Sequence, residues 1–128
     1  MGKEYQIDSN IIIDYLDNKI PAKGMELVSD IVDTTPNISV ITKIEVLRFN
    51  TTDTAYKILD SFIGICNSLT INDAIVDKTI EICKQHKIKL PDAIIAATAL
   101  VNKFTLITRN TDDFKNIAGL TVINPYNV

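Results

Sequence analysis

Acidic side chains in this sequence recur close behind short apolar segments. Asp8 follows YQI, Glu45 comes shortly after NISVI, and Asp113, with Asp112 before it, follows TLI. Carboxylates without histidine or cysteine suit a hard cation, Mg²⁺ or Mn²⁺, which binds oxygen ligands in octahedral geometry. Such an ion lowers the pKa of a bound water and neutralises charge on phosphoryl oxygens. The acids therefore indicate metal-assisted hydrolysis of phosphodiester bonds.

Asp92 is the most informative of the acids. It stands near the start of LPDAIIAATAL, which predicts a helix that is apolar all round and therefore buried. A buried carboxylate needs a partner, because an unpaired charge there would take up a proton. The helix N-terminus stabilises a negative charge by about 0.3–1 kcal/mol. A divalent cation would stabilise it far more.

Each acid also has a purely structural explanation. Asp8 could cap a helix, Glu45 could be a surface acid, and Asp92 could compensate a helix dipole. Asp112 and Asp113 could cap a turn. These explanations together do not account for why every one of these acids falls at a strand end or a buried helix start. The remaining acids that we assign to the solvated surface are Asp14, Asp17, Asp30, Asp33, Asp53, Asp60, Asp73, Asp77 and Glu81.

Histidine and cysteine are too few to build the commoner catalytic sites. His86 is the one histidine, which excludes catalytic triads and histidine-based metal sites. Cys66 and Cys83 lie in segments of helical apolar periodicity and are predicted to be buried free thiols.

The hydrophobic pattern alternates between short strands and helices along the whole chain. Strands are predicted at 4–7, 37–41, 68–71, 105–108 and 119–125. Helices are predicted at 9–18, 22–34, 42–49, 53–67, 72–86 and 90–103, with Thr42 as the N-cap of the third and a short helical turn at 110–117. This alternation predicts an α/β fold of three layers, in which helices cover both faces of a central, mostly parallel sheet of about five strands.

The predicted sheet explains how distant acids could share one site. In parallel α/β sheets, ligands bind outside the carboxyl ends of the strands, near the point where the strand order reverses. The residues that follow the strands are therefore expected to meet at one edge. In this arrangement Ser9 or Asn10 caps the first helix, which leaves Asp8 free to face the shared site.

Length and charge set the limits of the interpretation. The 128 residues, of which 46% are apolar, suffice for one domain spanning residues 1–128. The sequence shows no signal peptide and no apolar run near the roughly 20 residues that span a bilayer, so a cytoplasmic protein is expected. The formal charge of −3 argues against a nucleic-acid partner, but it becomes +1 without the four acids Asp8, Glu45, Asp92 and Asp113. Basic residues that could contact a nucleic-acid backbone are Lys3, Lys43, Arg48, Lys103, Arg109 and Lys115.

Four blocks of the sequence resemble PIN-domain ribonucleases, specifically the VapC-type toxins of bacterial toxin–antitoxin pairs. The blocks are IDSNIIIDYL, ISVITKIEVLRF, LPDAIIAATAL and LITRNTDDF, and they follow the family's order along the chain. The resemblance implies a PIN-like fold and an endoribonuclease that depends on Mg²⁺, with Mn²⁺ as the alternative ion. It also implies a homodimer that a cognate antitoxin holds inactive.

The resemblance further implies metal-binding roles for individual residues. Asp8, Glu45 and Asp92 would bind the metal ion. Asn110 stands where many relatives have Asp, so Asp113 would complete the set, with Asp112 as the alternative. Ser9 stands where the commonest form has Thr and keeps the hydroxyl.

Other polar residues of the four blocks would support the site or contact RNA. Asn10 would orient Asp8, and Thr108 would form a hydrogen bond within the site, with Thr42 and Asn110 as further supporting residues. Arg109 would face an RNA phosphate. Lys43 and Arg48 are the other candidates for contacts with RNA.

Three other functions stay open. A catalytically inactive PIN-like module that binds RNA or protein would share the same blocks, and a DNA nuclease of similar architecture would share the same acids. A phosphoryl-accepting receiver domain has a similar length and alternation. It needs an acid pair after the first strand and a late Lys-Pro, and neither occurs here.

Overall fold

The computed structural model describes residues 2–128, in which helices surround a five-stranded sheet. The strands are β1 (Tyr5–Ile7), β2 (Asn37–Ser39), β3 (Asn67–Leu69), β4 (Thr105–Ile107) and β5 (Val122–Ile123). The helices are α1 (Ser9–Leu16), α2 (Ala22–Thr34), α3 (Val40–Leu47), α4 (Asp53–Ile65), α5 (Asp73–Gln85) and α6 (Leu90–Asn102). Two short 3₁₀ turns, Thr111–Asp113 and Pro125–Asn127, precede and follow β5.

The strand order is β3–β2–β1–β4–β5, and every neighbouring pair is parallel. The chain moves outward from β1 through β2 to β3, and then places β4 on the other side of β1. The strand order therefore reverses between β1 and β4, where Ile7 pairs with Ile107. The predicted α/β fold with a central parallel sheet of about five strands is confirmed.

Helices cover both faces of the sheet. Successive residues of a strand point to opposite faces and therefore pack against different helices. Ile7 and Ile107 belong to one buried cluster together with Ile11 of α1. The neighbouring Leu106 belongs to a second cluster, which contains the buried alanines of α6. Gln6 links β1 to α6, since its side-chain amide donates a hydrogen bond of 3.1 Å to the carbonyl oxygen of Ile95.

Small side chains let α6 approach the sheet closely. The fully buried alanines are Ala93, Ala96, Ala97 and Ala99. Pro91 lies in the first turn of the helix, where its missing N–H costs no helical hydrogen bond. Asp92 occupies the same turn, so the packing of the alanines fixes the position of its backbone.

The start of α3 differs from the prediction. The NISVI pattern predicted a strand through Ile41 and Thr42 as the N-cap, but β2 ends at Ser39. The Ser39 hydroxyl accepts a hydrogen bond of 3.1 Å from the N–H of Ile41, and the extended backbone of Ser39 suits a cap. Thr42 is instead fully buried inside α3. A hydroxyl cap outweighs the strand preference of the β-branched residues that follow it.

Two smaller predictions also need correction. The last strand is limited to Val122–Ile123, shorter than the predicted 119–125. Both cysteines are free as predicted, but Cys83 is exposed and Cys66 is only partly buried, where desolvation raises the pKa of its thiol to about 11.

No helix within residues 2–128 has both the length and the apolar character that a membrane crossing requires.

Gly24 of α2 lies where the C-terminal segment crosses that helix. A Cβ atom here would overlap the carbonyl oxygen of Pro125 and lie 2.7 Å from its carbonyl carbon. Gly24→Ala should therefore lower the free energy of unfolding by about 1–3 kcal/mol, the usual cost of overpacking, in urea denaturation. Gly64→Ala on α4 is the matched control, because nothing lies within 4 Å of the added Cβ. That variant should gain about 0.5–1 kcal/mol, and equal effects of the two substitutions would contradict the contact.

Candidate active site

Asp8 lies directly after β1, at the edge where the strand order reverses, and is only 4% exposed. One carboxylate oxygen accepts a hydrogen bond of 2.9 Å from the N–H of Ser9, which makes Asp8 itself the N-cap of α1. The prediction that Ser9 or Asn10 would cap this helix is therefore wrong. One carboxylate oxygen therefore caps the helix, and the other faces polar side chains of the site.

The second oxygen of Asp8 is held by two polar side chains. The Thr108 hydroxyl donates a hydrogen bond of 2.8 Å to it, and the Asn10 amide donates one of 3.2 Å. Burial nevertheless raises the pKa of Asp8, because the desolvation of the carboxylate exceeds the effect of these bonds. The negative charge of Asp113 raises it further.

Glu45 of α3 is partly buried and faces the same edge. Its carboxylate accepts a hydrogen bond of 3.2 Å from the Ser9 hydroxyl, which ties α3 to α1. Desolvation raises the pKa of Glu45, and the charge of Asp8 adds to the increase. Arg48, one turn later on α3, lowers it.

Asp92 approaches the same group of acids from the first turn of α6, and it is partly buried, not fully buried as predicted, because Leu90 and Pro91 at the start of the helix are exposed. Desolvation raises the pKa of its carboxyl, and the charges of Asp113 and Asp8 raise it further, while Lys89 lowers it. The predicted acids Asp8, Glu45, Asp92 and Asp113 thus lie close enough for their charges to interact. They come from four segments of the chain.

Three residues were open as the fourth acidic position, and the structure distinguishes them. Asp113, in the 3₁₀ turn after β4, interacts electrostatically with Asp8 and Asp92. Asp112 points into solvent, with its side chain 89% exposed and paired to Lys115 at 3.4 Å. Asn110 is exposed, and its backbone N–H donates to the Thr108 hydroxyl at 3.1 Å.

Thr42 lies one turn before Glu45 on α3. Its hydroxyl is fully buried and has no hydrogen-bond partner among residues 2–128. Buried hydroxyls are normally paired with protein groups or with water, so this oxygen is an available polar group on the helix that carries Glu45. Its predicted supporting role stays a prediction.

The predicted RNA-contact residues fall into two groups. Lys43 and Arg48 are exposed on α3. Arg109 instead directs one guanidinium nitrogen to the Asp14 carboxylate at 2.7 Å. Lys3 and Lys103, the more distant candidates, precede β1 and β4 and so lie towards the opposite edge of the sheet.

The surface assignment of Asp14 is wrong. Asp14 of α1 is 4% exposed, and one carboxylate oxygen accepts hydrogen bonds from both Arg109 and the Tyr126 hydroxyl, the latter at 2.8 Å. The partners lie 95 and 112 residues further along the chain. The available signal was its position inside the apolar run IIIDYL, where a solvated acid is unusual.

A cavity of about 730 Å³ opens beside Asp92 and Asp113, which are among the residues that line it. His86, Lys87 and Lys89, from the connection between α5 and α6, line it as well. The two lysines were not predicted as part of the site, although HKIKLPD places them just before Asp92.

The donor chemistry of the site fits a hard cation. Its potential ligands are all oxygens, and no lysine, arginine or histidine of residues 2–128 forms an ion pair with any of the four carboxylates. In this conformation no three Asp, Glu, His or Cys side chains of residues 2–128 converge closely enough to enclose one ion. Mg²⁺ does not require that, because it usually keeps several waters and takes one or two carboxylates from the protein.

Comparisons with known proteins agree with the architecture. The family model for the PIN domain matches residues 5–120. A toxin–antitoxin complex from Klebsiella pneumoniae contains a chain with 30% identity and a TM-score of 0.79, and the match covers 98% of this chain and 100% of that one. VapBC-1 from nontypeable Haemophilus influenzae matches at 26% identity and a TM-score of 0.77, over 94% of this chain and 97% of that one.

A further structure shares the fold alone. VapBC2 from Rickettsia felis, bound to a DNA fragment from its promoter, matches at 22% identity and a TM-score of 0.78, over 94% of this chain and 97% of that one. No curated protein matched the chain. The family model covers nearly the whole sequence, as the four resembling blocks predicted, and the chain therefore belongs to the PIN domain family.

Proposed function

We propose that this chain is a metal-dependent endoribonuclease that uses Mg²⁺ or Mn²⁺ and acts as the toxin of a toxin–antitoxin pair in the cytoplasm. The observation that carries the proposal is the electrostatic interaction of Asp8, Glu45, Asp92 and Asp113 in a chain of the PIN domain family. Each of the first three has a raised pKa because burial and like charges disfavour its anion. A divalent cation would offset both the cost of burying the anions and the repulsion between them.

The roles of the residues follow from their contacts. Asp8, Glu45, Asp92 and Asp113 would hold the ion, directly or through its waters. Asn10 and Thr108 would keep one Asp8 oxygen in a fixed direction, and Ser9 would do the same for Glu45. The ion would supply a water of lowered pKa and neutralise charge on the phosphoryl oxygens during hydrolysis of the phosphodiester bond.

The cavity beside Asp92 is the proposed path of the RNA strand. The lysines Lys87 and Lys89 would contact a phosphate next to the one being cleaved, and Ile88 and Ile117 supply apolar lining for a base or ribose. Lys43 and Arg48 remain candidates for contacts on the α3 side of the acids. A single strand fits this site better than a rigid duplex, because the strand can bend to bring one phosphate to the acids.

The proposed partners are an antitoxin and a second copy of this chain. The similar chain from Klebsiella pneumoniae belongs to a toxin–antitoxin complex. Large apolar side chains are exposed on and beside the helices, among them Ile44 of α3, Phe49 just after α3 and Ile58 of α4, each more than half exposed. Exposed apolar groups of this size are typical of surfaces that bind other proteins.

Asp92→Asn should reduce RNA cleavage by more than about 100-fold, beyond the 10–100-fold that is typical for loss of an outer partner of a metal ligand. Asparagine keeps the shape of the side chain and removes the charge that would bind the ion. The measurement is cleavage of a cellular RNA pool by the purified chain with Mg²⁺ and with EDTA. Asp73→Asn is the matched control, because Asp73 is also a first-turn acid but is exposed and outside the site.

Cleavage that survives in Asp92→Asn, or in EDTA, would contradict the assignment. Cleavage of single-stranded DNA in place of RNA would identify a DNA nuclease, and metal binding without any cleavage would favour an inactive binding module. As a second readout, production of the wild-type chain without an antitoxin should arrest bacterial growth, and production of the Asp92→Asn variant should not.

Asp92→Asn should also raise the thermal midpoint of the metal-free protein at pH 7. A raised pKa means that the folded state binds protons more tightly than the unfolded chain, so these acids lower stability as pH rises from the ordinary Asp value of 3.8 through the raised one. The advantage of the variant in EDTA should therefore shrink as the pH is lowered towards 4. Calorimetry of both proteins between pH 7 and pH 4 measures this difference in thermal midpoint.

The same scans with Mg²⁺ provide the control. An ion at about 100 times its dissociation constant stabilises the folded state by about 2.7 kcal/mol, and the wild type should gain more than the variant. Equal gains would mean that Asp92 does not contribute to metal binding.

Lys89→Ala should weaken the binding of single-stranded RNA to the inactive Asp92→Asn protein. The plot of log affinity against log salt has a negative slope, and each lost phosphate contact should reduce the magnitude of that slope by about 0.7. Fluorescence anisotropy at several salt concentrations measures the slope. Lys3→Ala is the control, because Lys3 precedes β1, away from the carboxyl edge. Equal slopes for both lysine variants would exclude the cavity as the path of the RNA.

A further inference from the structure

Asp14 is a buried carboxylate for which the proposed reaction has no use. It lies on α1, four residues after Asn10, so both side chains project from the same face of the helix. Its neighbours include one cation, the guanidinium of Arg109, and one neutral donor, the hydroxyl of Tyr126. A buried acid with a partner this distant in sequence indicates that the ion pair fixes a tertiary contact.

Arg109 is held at two points by that single helix face. Its backbone N–H donates a hydrogen bond of 3.1 Å to the Asn10 side-chain oxygen, and its guanidinium donates one of 2.7 Å to Asp14. The segment that follows β4 is thereby fastened along one turn of α1. Loss of the Asp14 charge would release the side-chain end of this attachment.

The two residues beside Arg109 are joined to the site. Thr108 donates its hydroxyl to Asp8, and the same hydroxyl accepts the N–H of Asn110 at 3.1 Å. The carbonyl oxygen of Asn110 in turn accepts the N–H of Asp113 at 3.1 Å. A displacement of Arg109 would therefore change the position of Asp8 on one side and that of Asp113 on the other.

We propose that Asp14 is a positioning residue of the site, which holds Arg109 in place so that Asn10 and Thr108 orient Asp8 and the following turn presents Asp113. Arg109 is thus assigned to the architecture of the site in place of the RNA contact that the sequence predicted. This inference rests on the proposed function only for its effect on metal binding. The attachment of the 108–110 segment is testable in the metal-free protein.

Tyr126 anchors the C-terminal turn to Asp14 without touching the four acids. Desolvation and the hydrogen bond to Asp14 raise the pKa of its phenol, so the hydroxyl remains a donor. Tyr126→Phe removes one hydrogen bond from the same Asp14 oxygen and leaves the ion pair with Arg109. This variant is therefore the matched control for a purely structural role of Asp14.

The first measurement is amide hydrogen exchange of the metal-free protein by NMR. Asp14→Asn should speed the exchange of the Arg109 and Asn110 amides more than that of amides in β3, and Tyr126→Phe should not. Arg109→Gln provides a second route, because it breaks the same ion pair and leaves Asp14 in place. The double variant should add little to either single one, since both act through one contact.

The second measurement is Mn²⁺ affinity without RNA, which a residue that only contacts RNA would not change. Asp14→Asn and Arg109→Gln should each weaken it by about 10-fold, the lower end of the effect of losing a group bonded to a metal ligand, because both act on Asp8 through Asn10 and Thr108, and Tyr126→Phe should keep it near the wild-type value. Unchanged exchange and affinity in Asp14→Asn, with only a lower thermal midpoint, would overturn the inference. A wild type that binds no metal would refute the proposed function, and the exchange data would still decide the role of Asp14.

Discussion

The parallel pairing of β1 with β4 is the contact on which the site depends. The Asp8 N–H donates a hydrogen bond of 2.9 Å to the carbonyl oxygen of Ile107, which places Asp8 beside Thr108 although 100 residues separate them. Because β2 lies on the other side of β1, α3 also begins at this edge and carries Glu45. The acids meet because the strand order reverses here, and a slip of one residue in this pairing would turn Asp8 away from Thr108.

The distribution of cations explains why the acids remain available. The hydrogen bonds to Asp8 come from neutral donors, and the nearby cation Arg109 is paired with Asp14. Arg48 and Lys89 act on Glu45 and Asp92 only from the exposed rim. An arginine paired with Asp8 would neutralise the negative charge of this carboxylate, and a metal ion would then bind there less favourably. The fold thus pairs Arg109, whose side chain is half exposed, with Asp14 further along α1 and not with Asp8.

The sequence predicted elements well where the local signal and the tertiary environment agree. The apolar body of α6 has a pattern that needs no distant partner to interpret, whereas the cap at Asp8 and the exposure of the first turn of α6 were not predicted correctly. The prediction failed at Ser39, where one hydroxyl cap outweighed two β-branched residues, and at Asp14, whose partners are brought to it only by the folded sheet. The basic lining at Lys87 and Lys89 was missed because a loop position carries no periodicity from which its direction can be read. Metal binding and catalysis by the acids stay predictions.

The spacing of the acids bears on how the proposed enzyme would be activated. No three of these side chains in residues 2–128 enclose an ion, although their charges interact and their burial disfavours the anions. A site of this kind offers charge without a complete set of ligands, so an ion would take its remaining ligands from water or from an RNA phosphate. Binding of the ion and of the substrate would then reinforce one another, because each supplies what the other lacks.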